Sequence, residues 1–279
     1  MPFATVNGIE LYYEETGSGF PLVFVHEFAG DMRAWEPQVR HFGRQYRVIT
    51  YNQRGYPPSQ VPAGAVSYTH DDLIEDLHQL LRFLDIERAY IAGLATGGNV
   101  ALNFGIRHPD LAQALVVAGA GAGTVDRENW LAAAKIFADD IERDGTAGIV
   151  ANVENAPQRI VFRIKDPRGW QEFIAGMHDF SPLGCAHMMR NALMNRKPIF
   201  DLGAELGAMN VPTLVMVGDQ DEPAFAACRF VCQHAPHAGM VVLPMCGHTL
   251  NSEEPDFFNL HVGTFLAAVA AGRWGSWQG

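Results

Sequence analysis

Tyr90-Ile-Ala-Gly93-Leu-Ala95-Thr-Gly97-Gly98-Asn-Val-Ala-Leu102 decides how the rest of the chain is read. The apolar start has the look of a strand, the glycines mark a very tight turn, and the helix-compatible run that follows begins near Thr96. In such a strand-turn-helix junction the central residue is held in a strained conformation. The flanking glycines remove side chains that would collide with the neighbouring strand and helix. Here the central residue is Ala95.

Similar short apolar runs lie on both sides of this junction. They are Pro21–Val25 and Tyr46–Thr50 before it, the Ala89–Ala92 run that enters it, and Ala114–Ala118, Thr213–Val217 and Met240–Leu243 after it. Runs that are continuous rather than alternating are expected of parallel strands covered by helices on both faces. Between the second and third runs, Leu73, Ile74, Leu77, Leu80, Leu81 and Leu84 recur at helical spacing, which predicts an amphipathic helix over 71–84. Thr69 followed by Asp72 supplies its N-terminal cap. At the start of the chain, Asn7-Gly8 between Thr5-Val6 and Ile9–Tyr13 predicts a two-residue β-hairpin, because both turn positions need positive φ. From about Thr124 to Met209 the strand signal stops. Helical stretches over Trp130–Arg143, Gly169–Met177 and Ala186–Met194 take its place, so 124–210 is expected to be a helical cap inserted into a core made of 1–123 and 211–279.

The bulk numbers narrow the function. The 279 residues are 48% hydrophobic and 18% charged, which suits one sizeable folded unit. Lys and Arg total 20 against 31 Asp and Glu, a net charge of -11 with no basic patch, so nucleic acid is not an expected partner. The first residues have neither the positive start nor the apolar stretch of a signal peptide, and no segment reaches the length of a membrane span. A soluble cytoplasmic protein is the expectation, with no membrane partner and a homodimer left open. Cys185, Cys228, Cys232 and Cys246 show no CxxC spacing and are read as reduced. Cys228 and Cys232, four apart on a predicted helix, are read as two buried small hydrophobes, with a metal or redox pair as the alternative.

Two further loops follow predicted strands. Val211-Pro-Thr-Leu-Val-Met-Val-Gly218-Asp219-Gln-Asp221 offers a carboxylate beyond a glycine, and Met245-Cys-Gly-His248 places a histidine just after one, ahead of Glu254-Pro255 and a helix. Together with Gly93-x-Ala95-x-Gly97-Gly98, these loops closely resemble the α/β-hydrolase fold family over nearly the whole chain. The first resembles its Gly-x-Ser-x-Gly nucleophile elbow, the second its acid loop and the third its final histidine loop. The resemblance implies a mostly parallel twisted sheet flanked by helices, with a pocket above the carboxyl ends of its strands. Its catalytic positions would be Ala95, Asp221 and His248, Asp221 being preferred on spacing while Asp219 stays open. Leu22–Gly30 matches the family's His-Gly-x-x loop, which implies an oxyanion hole made by the N–H groups of Phe28 and Thr96.

Three departures stand out. Ala95 replaces the nucleophile, Glu27 replaces a glycine, and Pro57 replaces the second glycine of the Arg54-Gly55-Tyr56-Pro57-Pro58-Ser59 turn, which is read as structural. Alanine cannot attack a carbonyl, and Thr96 would present its backbone rather than its hydroxyl, so the chain as written should be hydrolytically dead. The machinery is otherwise complete, which favours a deliberate Ser-to-Ala replacement over natural decay. The implied parent activity is hydrolysis of a small, largely apolar ester or lactone. Alternatives are a non-catalytic small-molecule binder or receptor, and a carbon–carbon bond hydrolase or cofactor-free oxygenase using His248 alone. No cofactor is expected. His26-Glu27 opens like a zinc-protease motif, but Gly30 stands where the second histidine belongs, so no metal is expected either. His178 and His187 are read as surface or packing residues, and the cap's Trp170, Phe173, Met177, Phe180, Met188, Met189 and Met194 as cap core or pocket wall.

Overall fold

A computed structural model describes residues 2–275. Eight strands form one sheet: β1 (Phe3–Val6), β2 (Ile9–Thr16), β3 (Phe20–Val25), β4 (Tyr46–Tyr51), β5 (Ala89–Leu94), β6 (Ala112–Ala118), β7 (Thr213–Gly218) and β8 (Ala238–Leu243). Their order is β1-β2-β4-β3-β5-β6-β7-β8. β1 and β2 form the antiparallel hairpin expected at Asn7-Gly8, whose φ values are 47° and 75°. β2 also pairs antiparallel with β4, and every later pairing is parallel.

Continuous apolar strands are needed because both faces of the sheet are covered. Successive residues of β3 and β5 alternate between two cores: Val23, Val25 and Ile91 on one face, Leu22, Phe24, Tyr90 and Ala92 on the other. Helices α1 (Glu36–Phe42), α2 (His70–Phe83) and α3 (Thr96–Arg107) follow β3, β4 and β5. α2 begins with the expected cap, in which Thr69 Oγ1 accepts from the Asp72 N–H at 3.0 Å and Asp72 Oδ2 accepts from the Thr69 N–H at 2.9 Å. It presents Leu73, Leu77, Leu80 and Leu81 to the same core as α3. Between β6 and β7 come α4 (Arg127–Asp144), α5 (Thr146–Glu154), α6 (Ile160–Lys165), α7 (Pro167–Gly176), α8 (Pro182–His187) and α9 (Gly203–Ala208). The helix expected over Ala186–Met194 starts earlier, because Ser181 caps α8 through the Gly184 N–H at 3.2 Å. It continues as a π-helical stretch over Met188–Leu193. α10 (Glu222–His234) follows β7, and α11 (Leu250–Glu253) and α12 (Pro255–Ala270) follow β8.

The turn over 52–59 is structural, as expected. Arg54 is buried and makes a double contact with buried Asp76 of α2, Nε to Oδ2 at 2.7 Å and Nη2 to Oδ1 at 2.5 Å. All four cysteines are free. Cys228 is buried as expected, whereas Cys232 is only half-buried. Among the described residues no helix is long and apolar enough to cross a membrane.

The strand order locates the site. From β3 the chain moves outward to β4, then returns to place β5 on the other side of β3. At such a switch point the loops leaving two adjacent parallel strands diverge and open a crevice at their carboxyl ends. The loop after β3 carries His26, Glu27 and Phe28, and the turn after β5 carries Ala95. This turn has no spare volume. A Cβ on Gly93 would lie 2.1 Å from the Gly97 carbonyl oxygen, and one on Gly97 would lie 2.0 Å from that of Val25. Gly97→Ala is therefore expected to destabilise the protein by about 3 kcal/mol and to lower its Tm by on the order of 10 °C. An unchanged Tm in scanning calorimetry would contradict this packing.

Candidate active site

Ala95 sits between β5 and α3 with φ 52° and ψ −106°, a conformation an alanine adopts only under constraint. The constraint is visible on both sides of the residue. Its N–H donates to the Ala118 carbonyl at 2.8 Å, tying it to β6, and its carbonyl accepts from the Asn99 N–H at 3.0 Å and Asn99 Nδ2 at 3.2 Å. The Thr96 N–H, first in α3, has no intrahelical acceptor. Neither it nor the Phe28 N–H donates to a protein acceptor among the described residues. Phe28 is held by its carbonyl, which accepts from Tyr56 Oη at 2.7 Å.

Asp221 leaves the carboxyl end of β7 and His248 leaves that of β8. They meet at 2.7 Å, Asp221 Oδ2 to His248 Nδ1, both buried. Asp219, the alternative acid, turns away from the histidine, and its Oδ1 accepts from the Cys246 N–H at 3.2 Å. The histidine loop is pinned by Glu253, whose two carboxylate oxygens accept from the Gly247 N–H at 2.7 Å and the Thr249 N–H at 2.9 Å. The His248 N–H donates to the Gln158 carbonyl at 2.9 Å. Burial pulls the imidazole pKa down, but the charge and hydrogen bond of Asp221 outweigh it, so His248 stands above the ordinary histidine value.

Glu27 points inward. It is 1% exposed, and its carboxylate is gripped by Arg159, itself 6% exposed. Arg159 Nη1 lies 3.1 Å from Oε1, and Nη2 is paired with Oε2. Arg159 Nη1 also donates to Thr249 Oγ1 at 2.9 Å, and its guanidinium lies 5.3 Å from the centre of the Phe173 ring. Glu27 Oε2 is 3.8 Å from His248 Nε2. Burial would raise the Glu27 pKa, but the charge and hydrogen bonds of Arg159 overcome it, so the carboxyl lies below its ordinary range and is ionised at neutral pH. The site is thus a buried row of ionisable groups, Asp221–His248–Glu27–Arg159.

His26 is fully engaged in holding this loop. Its Nε2 accepts from the Gln53 N–H at 2.9 Å, which puts the ring proton on Nδ1, facing the Glu27 carbonyl at 2.7 Å. Burial lowers its pKa, and neither nitrogen is free to hold a metal. A different trio, Glu75, His78 and His108, brings its ligand atoms within 4.8 Å of one another. His108 caps the far end of α3, whose twelve residues put it about 18 Å of helix away from Ala95. His187, expected to be a packing residue, lies against Tyr68 at 5.3 Å between ring centres. A cavity of about 1030 Å³ does not open onto Ala95, Asp221 or His248. It lies beside Ala29, Gly30, Phe162 and Phe173, on the flank of the Glu27 loop.

Sheet order, elbow and histidine–acid contact together define an α/β hydrolase, and the family model described as the alpha/beta hydrolase fold matches residues 21–255; the chain belongs to this family. Among its relatives is 3-oxoadipate enol-lactonase 1 of Acinetobacter baylyi, 29% identical over 249 residues that cover 89% of each chain. Another is 2-hydroxy-6-oxo-6-(2'-aminophenyl)hexa-2,4-dienoic acid hydrolase of Metapseudomonas resinovorans, 25% identical, covering 96% of this chain and 91% of the relative. Among solved structures, the enol-lactonase from Burkholderia xenovorans superposes with a TM-score of 0.84 at 26% identity, covering 95% of this chain and all of that one. A thermophilic esterase from Thermogutta terrifontis gives 0.84 at 27% identity, with 96% and 98% covered.

Proposed function

We propose that this protein is built as a serine-type hydrolase of small, largely apolar esters or lactones, with Ala95 in the nucleophile's place. His248 is the base, Asp221 orients it, and the N–H groups of Phe28 and Thr96 receive the oxyanion. The observation that carries this reading is the 2.7 Å contact between buried Asp221 and His248, formed at the carboxyl ends of adjacent strands beside an elbow whose φ is 52°. An acid on Nδ1 fixes the proton there and leaves Nε2 as the acceptor, which is the form a general base needs. Two backbone donors are worth about 3 kcal/mol each to a developing alkoxide. With a methyl at position 95 no acyl-enzyme forms, so Ala95 stands as a Ser-to-Ala replacement that leaves the rest of the site in place. The names of the enol-lactonase and esterase relatives support the bond class.

The helices over 124–210 are proposed to act as a cap on a core of 1–123 and 211–279. Phe162, Phe173 and Phe180 of this segment line the cavity beside the Glu27 loop, which supports an apolar substrate. A cytoplasmic location is part of the same reading, supported by four free thiols. The missing hydroxyl also favours a second reading, a binder that encloses an intact small molecule. Labelling by a fluorophosphonate, followed by mass spectrometry of the modified peptide, separates the two. Adduct at position 95 in Ala95→Ser, and none in the unchanged chain, is the expected result. Absence of adduct in both would favour the binder.

A further inference from the structure

We propose that Glu27 is a catalytic residue for the second half of the reaction: it holds the water that hydrolyses the acyl-enzyme, and Arg159 is the residue that positions it. The inference rests on the serine-hydrolase reading and adds a role for the residue that replaces the family's glycine. Glu27 Oε2 and His248 Nε2 are 3.8 Å apart, too far for a direct hydrogen bond. The gap suits one water hydrogen-bonded to both atoms at about 2.8 Å. Such a water donates one O–H to each, which leaves its oxygen lone pairs turned away from both and free to attack a carbonyl carbon. Glu27 can accept because Arg159 keeps it ionised, and it is fixed because both of its oxygens are held by the guanidinium. Thr249 Oγ1 fixes Arg159 in turn, next to His248 in the chain.

The step balances without any further reactant. The water passes one proton to His248 Nε2 as its oxygen bonds to the acyl carbon, while its other O–H stays donated to Glu27. The bond from the acyl carbon to the serine oxygen at position 95 then breaks. That oxygen takes the proton from Nε2, and the acid product leaves with the water's oxygen.

Stopped-flow kinetics with p-nitrophenyl acetate test this in the Ala95→Ser background. Adding Glu27→Ala is expected to leave the first turnover within a few-fold and to slow the steady state by about tenfold to a hundredfold. The trace then shows a burst of close to one nitrophenol per active site, and the acetyl-enzyme is seen by mass spectrometry. Hydroxylamine, which needs no oriented water, is expected to restore turnover. Glu27→Ala leaves the Arg159 charge unpaired, so Glu27→Leu/Arg159→Met, which removes both charges and the acceptor, is run beside it and is expected to show the same burst. If kcat and kcat/KM fall together with no burst, or if neither changes, Glu27 is only structural and the proposal is overturned while the hydrolase reading stands. If Ala95→Ser alone neither releases nitrophenol nor takes up acetyl, the hydrolase reading fails and takes this proposal with it.

Discussion

Ala95→Ser is expected to raise hydrolysis of short-chain nitrophenyl esters and simple lactones by at least about a thousandfold over the unchanged chain. The basis is that removing only the nucleophile from an intact serine triad costs on the order of a million-fold in kcat. The gain is expected to be large because the substitution adds a single hydroxyl to a backbone already held in the elbow conformation by Ala118 and Asn99. It asks nothing new of the histidine, which Asp221 already orients. The pH dependence follows from the same geometry. The base works as the neutral imidazole, and its pKa stands above the ordinary value because Asp221 outweighs burial. kcat/KM should therefore rise with pH and reach half its plateau above about 6.5. The stabilising contact with charged His248 has the opposite sign: it is fully present below about 6.5 and is lost as pH rises through the folded-state value. Equal activity in the alanine and serine proteins would overturn the assignment of position 95, and activity in neither would favour the binding protein.

In that serine background, Asp221→Asn is expected to lower kcat by on the order of 10⁴. An amide at this position can donate to Nδ1, which moves the ring proton to Nε2 and leaves no acceptor for the serine proton. Asp219→Asn is expected to cost far less, because Asp219 serves the Cys246 N–H rather than the imidazole. Kinetics on both variants, with thermal unfolding to check that each is folded, decide the matter. A loss carried by Asp219→Asn instead would move the orienting role to that residue.

Much of this architecture is written locally. Asn7-Gly8 forms the hairpin, Thr69 and Asp72 cap α2, and the apolar runs become β3 to β8 with ends shifted by a residue or two, because turns and short backbone periods are local properties. Gly93 and Gly97 were legible for a related reason, since only glycine survives a contact of 2.0 to 2.1 Å with a carbonyl oxygen. The meeting of Asp221 and His248 was expected from the resemblance of their two loops to those of the family, which left Asp219 open as the acid. Glu27 stood out only as an unexpected residue, and no local pattern said where its carboxylate points or what would hold it. Arg159 and Glu253 carried no signal: one lies in a helical stretch rich in unremarkable basic residues, and the other reads as an acidic residue ahead of a proline.

The sequence by itself determined the order of the elements and, through the resemblance of its elbow, acid and histidine loops to those of a family, the fold class. Such loop motifs and short backbone periods depend on neighbours a few positions apart. Only the tertiary structure decided that Glu27, 132 positions from Arg159, is buried as its ion-pair partner 3.8 Å from His248. That contact exists because β3, β8 and the helices after β6 are packed around one crevice. A buried charge chooses its partner by distance in space, and distance along the chain does not encode it.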